Sequence, residues 1–289
     1  MNRSIAVPLS RIDVLRAVRW AKALPAALVM VIAALLIQPP VQAASGAPAK
    51  ADPTLYARAQ AHPDTTFSVI VREAQPTSAS AEALVRSLGG HITHELRIVG
   101  GFSATVPGSA VSSLTASPLV WRVWGDARLH MASVNIGQYD GAATNSVWKS
   151  VIRVPNAQNQ STGNGAGVGV AVLDTGVVPM PDLANRITHV VDFTPETDAM
   201  DRYGHGTHMA GIIAGQGLGN VNYQGVAPGA NIISIKVAGG TGATDVSVVL
   251  AGLQWAVTHK AQFNIRVLNL SFGTDSKQPY SIDPLDYAV

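Results

Sequence analysis

Residues 168–176 read Val-Gly-Val-Ala-Val-Leu-Asp-Thr-Gly. Six residues in a row carry no polar side chain. Such a run suits a strand of a parallel sheet, where helices cover both faces and neither meets water. The run ends at Asp174-Thr175-Gly176, which places a carboxylate at the carboxyl end of the strand, where open α/β sheets gather ligands and catalytic groups. Similar runs follow at 187–191, 232–237 and 266–270, with helical segments at 205–216 and 245–258 between them. This alternation predicts an α/β domain over residues 165–289, a parallel sheet with flanking helices.

Downstream of Asp174 lies Gly204-His205-Gly206-Thr207-His208-Met209-Ala210-Gly211. It opens the first helix, whose early positions (Gly206, Ala210, Gly211, Ala214) are small enough for close packing on the sheet. A histidine at a helix N-terminus faces the positive end of the peptide dipoles, which favours the neutral imidazole. A general base must be in that form.

Four blocks in this order, VAVLDTG, GHGTHMAGIIAG, GVAPGANIISIKV and VLNLSFG, resemble the subtilisin-like serine proteases (subtilases). The resemblance covers residues 165–289. It implies a subtilisin-like sheet preceded by a small inhibitory propeptide, and an endopeptidase that needs no cofactor for catalysis. Asp174 matches the triad aspartate and His205 the triad histidine, in the Asp, His, Ser chain order known for subtilisin. Asp174 would orient the imidazole, and His205 would carry the serine proton to the leaving amine. Ser271-Phe272-Gly273 matches one wall of the substrate cleft, and Gly239-Gly240-Thr241-Gly242 matches the facing segment, so that an extended peptide adds as a strand between them. The partners implied are protein or peptide substrates and the chain's own propeptide.

The chain departs from the family in one respect. It contains no Gly-Thr-Ser, no Gly-x-Ser-x-Gly and no Ala-Gly-Asn motif for an oxyanion donor. Asn269, ahead of the cleft segment, is not that asparagine. Without nucleophile and oxyanion donor, little acyl transfer is expected. Asp283-Pro284 reads as an N-cap and first helical residue, yet the sequence stops at Val289. The expectation is therefore a truncated sequence, inactive by itself. The alternatives are a non-catalytic fragment or pseudoenzyme that binds peptide, and a propeptide-type protease inhibitor.

Upstream, residues 23–37 form an apolar run preceded by Arg3, Arg11, Arg16, Arg19 and Lys22 and followed by Val41-Gln42-Ala43. This is the layout of a secretory signal peptide over residues 1–43. The run is shorter than the roughly 20 residues of a membrane span. The expected product is secreted, with no stable membrane span after cleavage. Residues 44–63, rich in Ala, Pro and polar residues, read as a linker. Residues 64–130 follow a β-α-β-β-α-β order, with strands at 67–71, 91–106 (in two pieces about Gly100-Gly101) and 119–123 and helices at 80–88 and 107–116. That order is ferredoxin-like and fits the propeptide. Residues 131–164 read as a junction.

Composition narrows the alternatives. At 47% hydrophobic and 13% charged, the chain is too apolar to remain disordered. The net charge of +2 comes from the basic N-terminus, so no nucleic-acid partner is indicated. Zero cysteines exclude disulfides, a thiolate nucleophile and Cys-based zinc sites. An aspartic protease would need a second Asp-Thr-Gly in an all-β setting. His205 and His208 lack the intervening glutamate and the spacing of His-Glu-x-x-His, so no metal is expected there and His208 reads as a packed structural histidine. Asp182 matches a position the family often uses for calcium. Calcium takes about six to eight oxygens, so one aspartate reads as a surface-loop residue. Trp121, Trp124, Trp148 and Trp255 read as packing residues.

Overall fold

The computed structural model describes residues 48–131, 148–154, 163–183, 185–196, 198–219, 223–274 and 279–289. Helix α1 (Pro53–Ala61) is followed by β1 (Thr66–Glu73), α2 (Ser80–Ser87), β2 (His91–Leu96), a 3-10 turn (Arg97–Val99), β3 (Gly101–Pro107), α3 (Gly108–Ala116) and β4 (Val120–Gly125). The four strands form an antiparallel sheet in the order β2-β3-β1-β4, the split β-α-β layout that the element order predicts.

Side chains alternate across β1. Phe67, Val69 and Val71 pack with Phe102, Val106, Val85 and Leu114 under the helices. Ile70 points the other way and, with Leu96, Val99 and Trp124, joins the core of the parallel sheet. The module thus buries both faces of its sheet, one under its own helices and one against the following domain.

The second half contains β5 (Arg128–Met131), a short helix α4 (Trp148–Val151), β6 (Gly169–Asp174), β7 (Ile187–Asp192), α5 (His205–Ala214), β8 (Asn231–Lys236), β9 (Ala243–Asp245), α6 (Val246–Thr258), β10 (Ile265–Leu270), β11 (Phe272–Thr274) and α7 (Pro284–Ala288). Strands β10-β6-β8-β7 make the parallel sheet in that order. Strand β6 is buried along its whole length. Ala171 and Leu173 face the core that includes α6, while Val170 and Val172 face the one that includes α5. This two-sided cover explains the unbroken apolar run. At the margin, β10 leaves Val267 and Leu268 exposed. Among the described residues no helix is long and apolar enough to cross a membrane.

Three expectations need correction. Residues 53–61 of the expected linker are helix α1. Asp52 caps it, its Oδ1 accepting from the backbone N–H of Thr54 at 2.8 Å and Leu55 at 3.3 Å, with proline at the first position. Leu55 and Ala59 are buried against the module. A Cβ on Gly108 would lie 2.4 Å from the His62 carbonyl oxygen and 2.9 Å from that of Ala59, so only glycine allows the approach of α3 to this segment. The Asp-Pro signal was the one read at Asp283-Pro284, where the Asp283 carboxylate accepts from Leu285 N at 2.8 Å. Second, Met131 ends strand β5 and does not begin a junction. Third, Trp121 is 48% exposed. The Arg72 guanidinium lies over its ring at 4.3 Å and over that of Tyr287 at 3.9 Å, so it is the face of a stack and not core. Trp124 is core, as expected. The signal peptide and most of residues 132–162 lie outside the described residues.

Glu73 ends β1 and is buried. Burial, then the neighbouring Glu82 carboxylate, pushes its pKa from 4.5 to about 7. The folded state therefore binds a proton more tightly than the unfolded one. The associated stability is complete below pH 4.5 and is lost as pH rises through about 7. Urea midpoints should fall across that window, and Glu82→Gln should flatten the fall.

Candidate active site

Strand β6 delivers Asp174 to the carboxyl edge of the parallel sheet, fully buried. Helix α5 brings His205 to it: Nδ1 lies 2.8 Å from Oδ1 and 2.9 Å from Oδ2 of Asp174. The N-cap residue, Gly204, has φ of 93°, a left-handed conformation that favours glycine. Gly206 allows the contact: a Cβ there would sit 2.1 Å from the Gly176 carbonyl oxygen and 3.0 Å from Cβ of Asp174. With Nδ1–H donating to the carboxylate, Nε2 is the basic nitrogen of the neutral ring.

Burial pushes the Asp174 carboxyl above its usual range, and hydrogen bonds from His205 and Thr175 pull it back. Thr175 donates its backbone N–H to Oδ1 at 2.8 Å. Its hydroxyl lies 3.2 Å from the same oxygen and 2.7 Å from Oδ1 of Asp201, and accepts from Gly206 N at 3.0 Å.

Sequence reading missed Asp201. Its Oδ1 accepts from Gly204 N at 2.7 Å and Tyr203 N at 3.1 Å, and its Oδ2 from Thr207 N at 2.8 Å and the Thr207 hydroxyl at 2.7 Å. Burial raises this carboxyl, but the bonds from Thr207, Thr175 and Gly204 outweigh it and hold the pKa below the usual range. Asp201 thus ties the start of α5 to the Asp174 turn. An aspartate four residues before the histidine, with Thr207 beyond, was the only signal, and several donors converging on one carboxylate is a tertiary fact.

Lys236 was also missed. It ends β8 opposite Asp174 in register and is fully buried. Its Nζ donates to the carbonyl oxygens of Thr175 at 2.9 Å and Met200 at 2.7 Å and pairs with Glu196 Oε2 at 3.0 Å. The Gly240 N–H, then Lys236, holds the Glu196 carboxyl below its usual range. A buried ammonium needs such partners, since an unpaired one would cost several kcal/mol.

Beside this pair, β11-β5-β9 form a three-stranded antiparallel sheet. Residues 128–131, which continue from β4 of the N-terminal module, are its middle strand. Phe272 pairs with Met131, Gly273 with His130, Leu129 with Thr244 and Arg128 with Asp245. Phe272 and Gly273 therefore lie along one side of the middle strand. Ser271 lies outside the ladder, its hydroxyl accepting from Asn269 Nδ2 at 2.9 Å. Of the facing segment, Gly239-Gly240-Thr241-Gly242, the Gly242 carbonyl accepts from Met131 N at 2.9 Å, the ladder continues through Ala243–Asp245, and Gly240 N–H is held by Glu196.

Other readings fare differently. His208 is exposed and not packed: four residues of α5 lie on the core side, and this one faces outward. Trp255 is half-buried and stacked with His259 at 4.2 Å and His189 at 5.3 Å. The Asp182 Oδ1 accepts from Leu218 N at 2.8 Å. Among the described residues no group of three or more His, Asp or Glu could hold a metal ion.

Residues 165–288 match the Subtilase family (Peptidase S8). Subtilisin Savinase of Lederbergia lenta is 42% identical over 129 residues, covering 44% of this chain and 45% of its own length. The alkaline protease of Alkalihalobacillus alcalophilus is 34% identical over 188 residues, 64% of this chain and 44% of its own length. The crystal structure of fervidolysin from Fervidobacterium pennivorans, a keratinolytic enzyme related to subtilisin, superposes with a TM-score of 0.53 at 22% identity, covering 78% of this chain and 38% of that one. It bears on the fold alone. The chain spans about half or less of the length of the curated relatives it matches.

Asp201→Ala should lower stability by about 1–3 kcal/mol, the worth of losing part-buried hydrogen bonds to a charged carboxylate, as read by urea unfolding. The Nδ1 proton of His205, expected far downfield while Asp174 holds it, should broaden or vanish in the proton spectrum of this variant.

Proposed function

We propose that this chain, whose residues 165–288 match the subtilase family, carries the propeptide and the Asp-His pair of the triad of a secreted serine endopeptidase. The observation that carries this reading is the buried contact between Asp174 and the Nδ1 of His205 at 2.8 Å, at the edge of the sheet whose neighbouring strands flank residues 128–131.

The chemistry follows from that contact. The Asp174 carboxylate holds the Nδ1–H, so Nε2 is the basic nitrogen. His205 takes the proton of an attacking serine hydroxyl at Nε2 and passes it to the leaving amine, and Asp174 stabilises the imidazolium formed between the two transfers. Thr175, Asp201 and Lys236 keep the two groups in register. No cofactor takes part. The motifs of the nucleophilic serine and of the oxyanion donor do not occur in these 289 residues, so the activity belongs to a protein that supplies both.

Residues 48–131 act as the inhibitory propeptide. Strand β5 fills the slot an extended peptide substrate would take, and the module's sheet packs on the core that includes α6. The alignment with the alkaline protease covers 64% of the chain, more than the stretch from residue 165 to residue 289, so it reaches upstream into this region. Residues 1–43 direct secretion.

Two experiments test the proposal. The 289-residue chain should hydrolyse no chromogenic peptide. The complete gene product should be labelled by an active-site serine probe, and His205→Ala should abolish labelling. Labelling that survives His205→Ala overturns the assignment. In the second experiment, residues 48–131 added to a related subtilase should inhibit competitively. Ending the fragment at residue 125 should weaken inhibition by roughly tenfold or more, because it removes a set of ladder hydrogen bonds worth about 0.5–1.5 kcal/mol each.

A further inference from the structure

Resting on the reading of the β9–β11 slot as a substrate cleft, we propose that Asp245 makes it selective for peptides with a basic side chain at the place Arg128 takes in the resident strand Arg128, Leu129, His130, Met131. Successive side chains in a strand point to opposite faces. Leu129 and Met131 turn inward, 0% and 4% exposed, into the cluster that holds Val246, Val249 and Phe272. Arg128 and His130 face out.

The register pairs Arg128 with Asp245. Directly opposed residues of an antiparallel pair share a face, so any chain lying in this register offers its side chain at that place to Asp245. The Arg128 Nη1 lies 3.1 and 3.4 Å from the two carboxylate oxygens.

Asp245 is free for this task for a specific reason. It occupies the N-cap position of α6, yet its side chain makes no capping bond. Asp126 does the capping instead, accepting from Ser247 N at 2.9 Å and the Ser247 hydroxyl at 2.6 Å. A cavity of about 290 Å³ lies beside the pair, lined by Arg128, Thr194, Glu196, Thr241 and Asp245 among others. Of its two carboxylates, Glu196 is already paired with Lys236, which leaves Asp245 to face the substrate. An acidic residue at that place would oppose a like charge, which destabilises a cross-strand pair. Both side chains are partly exposed, 61% and 38%, so the discrimination is about two- to five-fold and is screened by salt.

Labelled peptides Ala-Arg-Leu-His-Met, Ala-Glu-Leu-His-Met and Ala-Ala-Leu-His-Met can be titrated by fluorescence anisotropy against the full chain carrying Leu129→Asp, which loosens the resident strand. The arginine peptide should bind about two- to five-fold more tightly than the alanine peptide, and the glutamate peptide more weakly than either. High salt should erase the order, and adding Asp245→Lys should reverse it. Equal binding of all three overturns the selectivity and leaves the cleft reading standing. Binding of none, with the chain folded by circular dichroism, overturns both. Hydrogen exchange in the chain with Leu129 intact keeps the test open should Leu129→Asp unfold. Arg128→Glu should speed exchange at residues 128–131 about two- to five-fold, and adding Asp245→Lys should restore it. Exchange indifferent to both changes overturns the proposal.

Discussion

A carboxylate fully buried at the end of a strand must be met by a donor, and here the donor is an imidazole on a different element. That single requirement organises the second half of the molecule. Asp174 is out of reach of water, so its charge is tolerable only with His205, Thr175 and the surrounding dipoles in place. Helix α5 must therefore press its first turn onto the Asp174 turn. Gly206 permits the approach, and the donors gathered by Asp201 hold it.

Lys236 belongs to the same logic. Its ammonium sits one strand over from Asp174 and fastens the Thr175 and Met200 carbonyls, one on each side of the gap between β6 and the approach to α5. Replacing it with an apolar residue would leave these carbonyls and Glu196 without their shared donor. The site is thus a lattice of buried ionic and polar groups, each satisfied by the next. Such lattices are costly to leave half-made, and this one sets the His205 ring to within hydrogen-bond tolerance.

The N-terminal module stands in a comparable relation to the rest. Its sheet has two apolar faces, and its own helices cover one. The other, with Ile70 and Trp124, is closed by the core that includes α6. The tail of the module continues as β5, so the surface that stabilises the module and the strand that fills the slot come from one continuous chain. Asp126, between them, caps α6 through Ser247, and the docking and the strand insertion therefore reinforce each other.

How much of this was legible in sequence follows from which interactions are local. The strand β6, the helix beginning at His205 and the β-α-β-β-α-β order of the module were readable, because apolar periodicity and turn residues act within a few positions. The pairing of Asp174 with His205 was suggested by motif resemblance. Helix α1 was hidden by an Ala- and Pro-rich composition even though Asp52-Pro53 announced its start. Trp121 and His208 were misjudged because burial depends on which face a neighbouring element covers. Asp201, Lys236 and strand β5 were missed for one reason: their partners are donors, acceptors and strand edges many residues away. Local chemistry in the sequence determined the elements, and the motifs marked Asp174 and His205 as a candidate pair. Only the tertiary structure decided which buried charges face each other and which segment lies between β9 and β11, because those choices come from long-range packing that no short window of residues encodes.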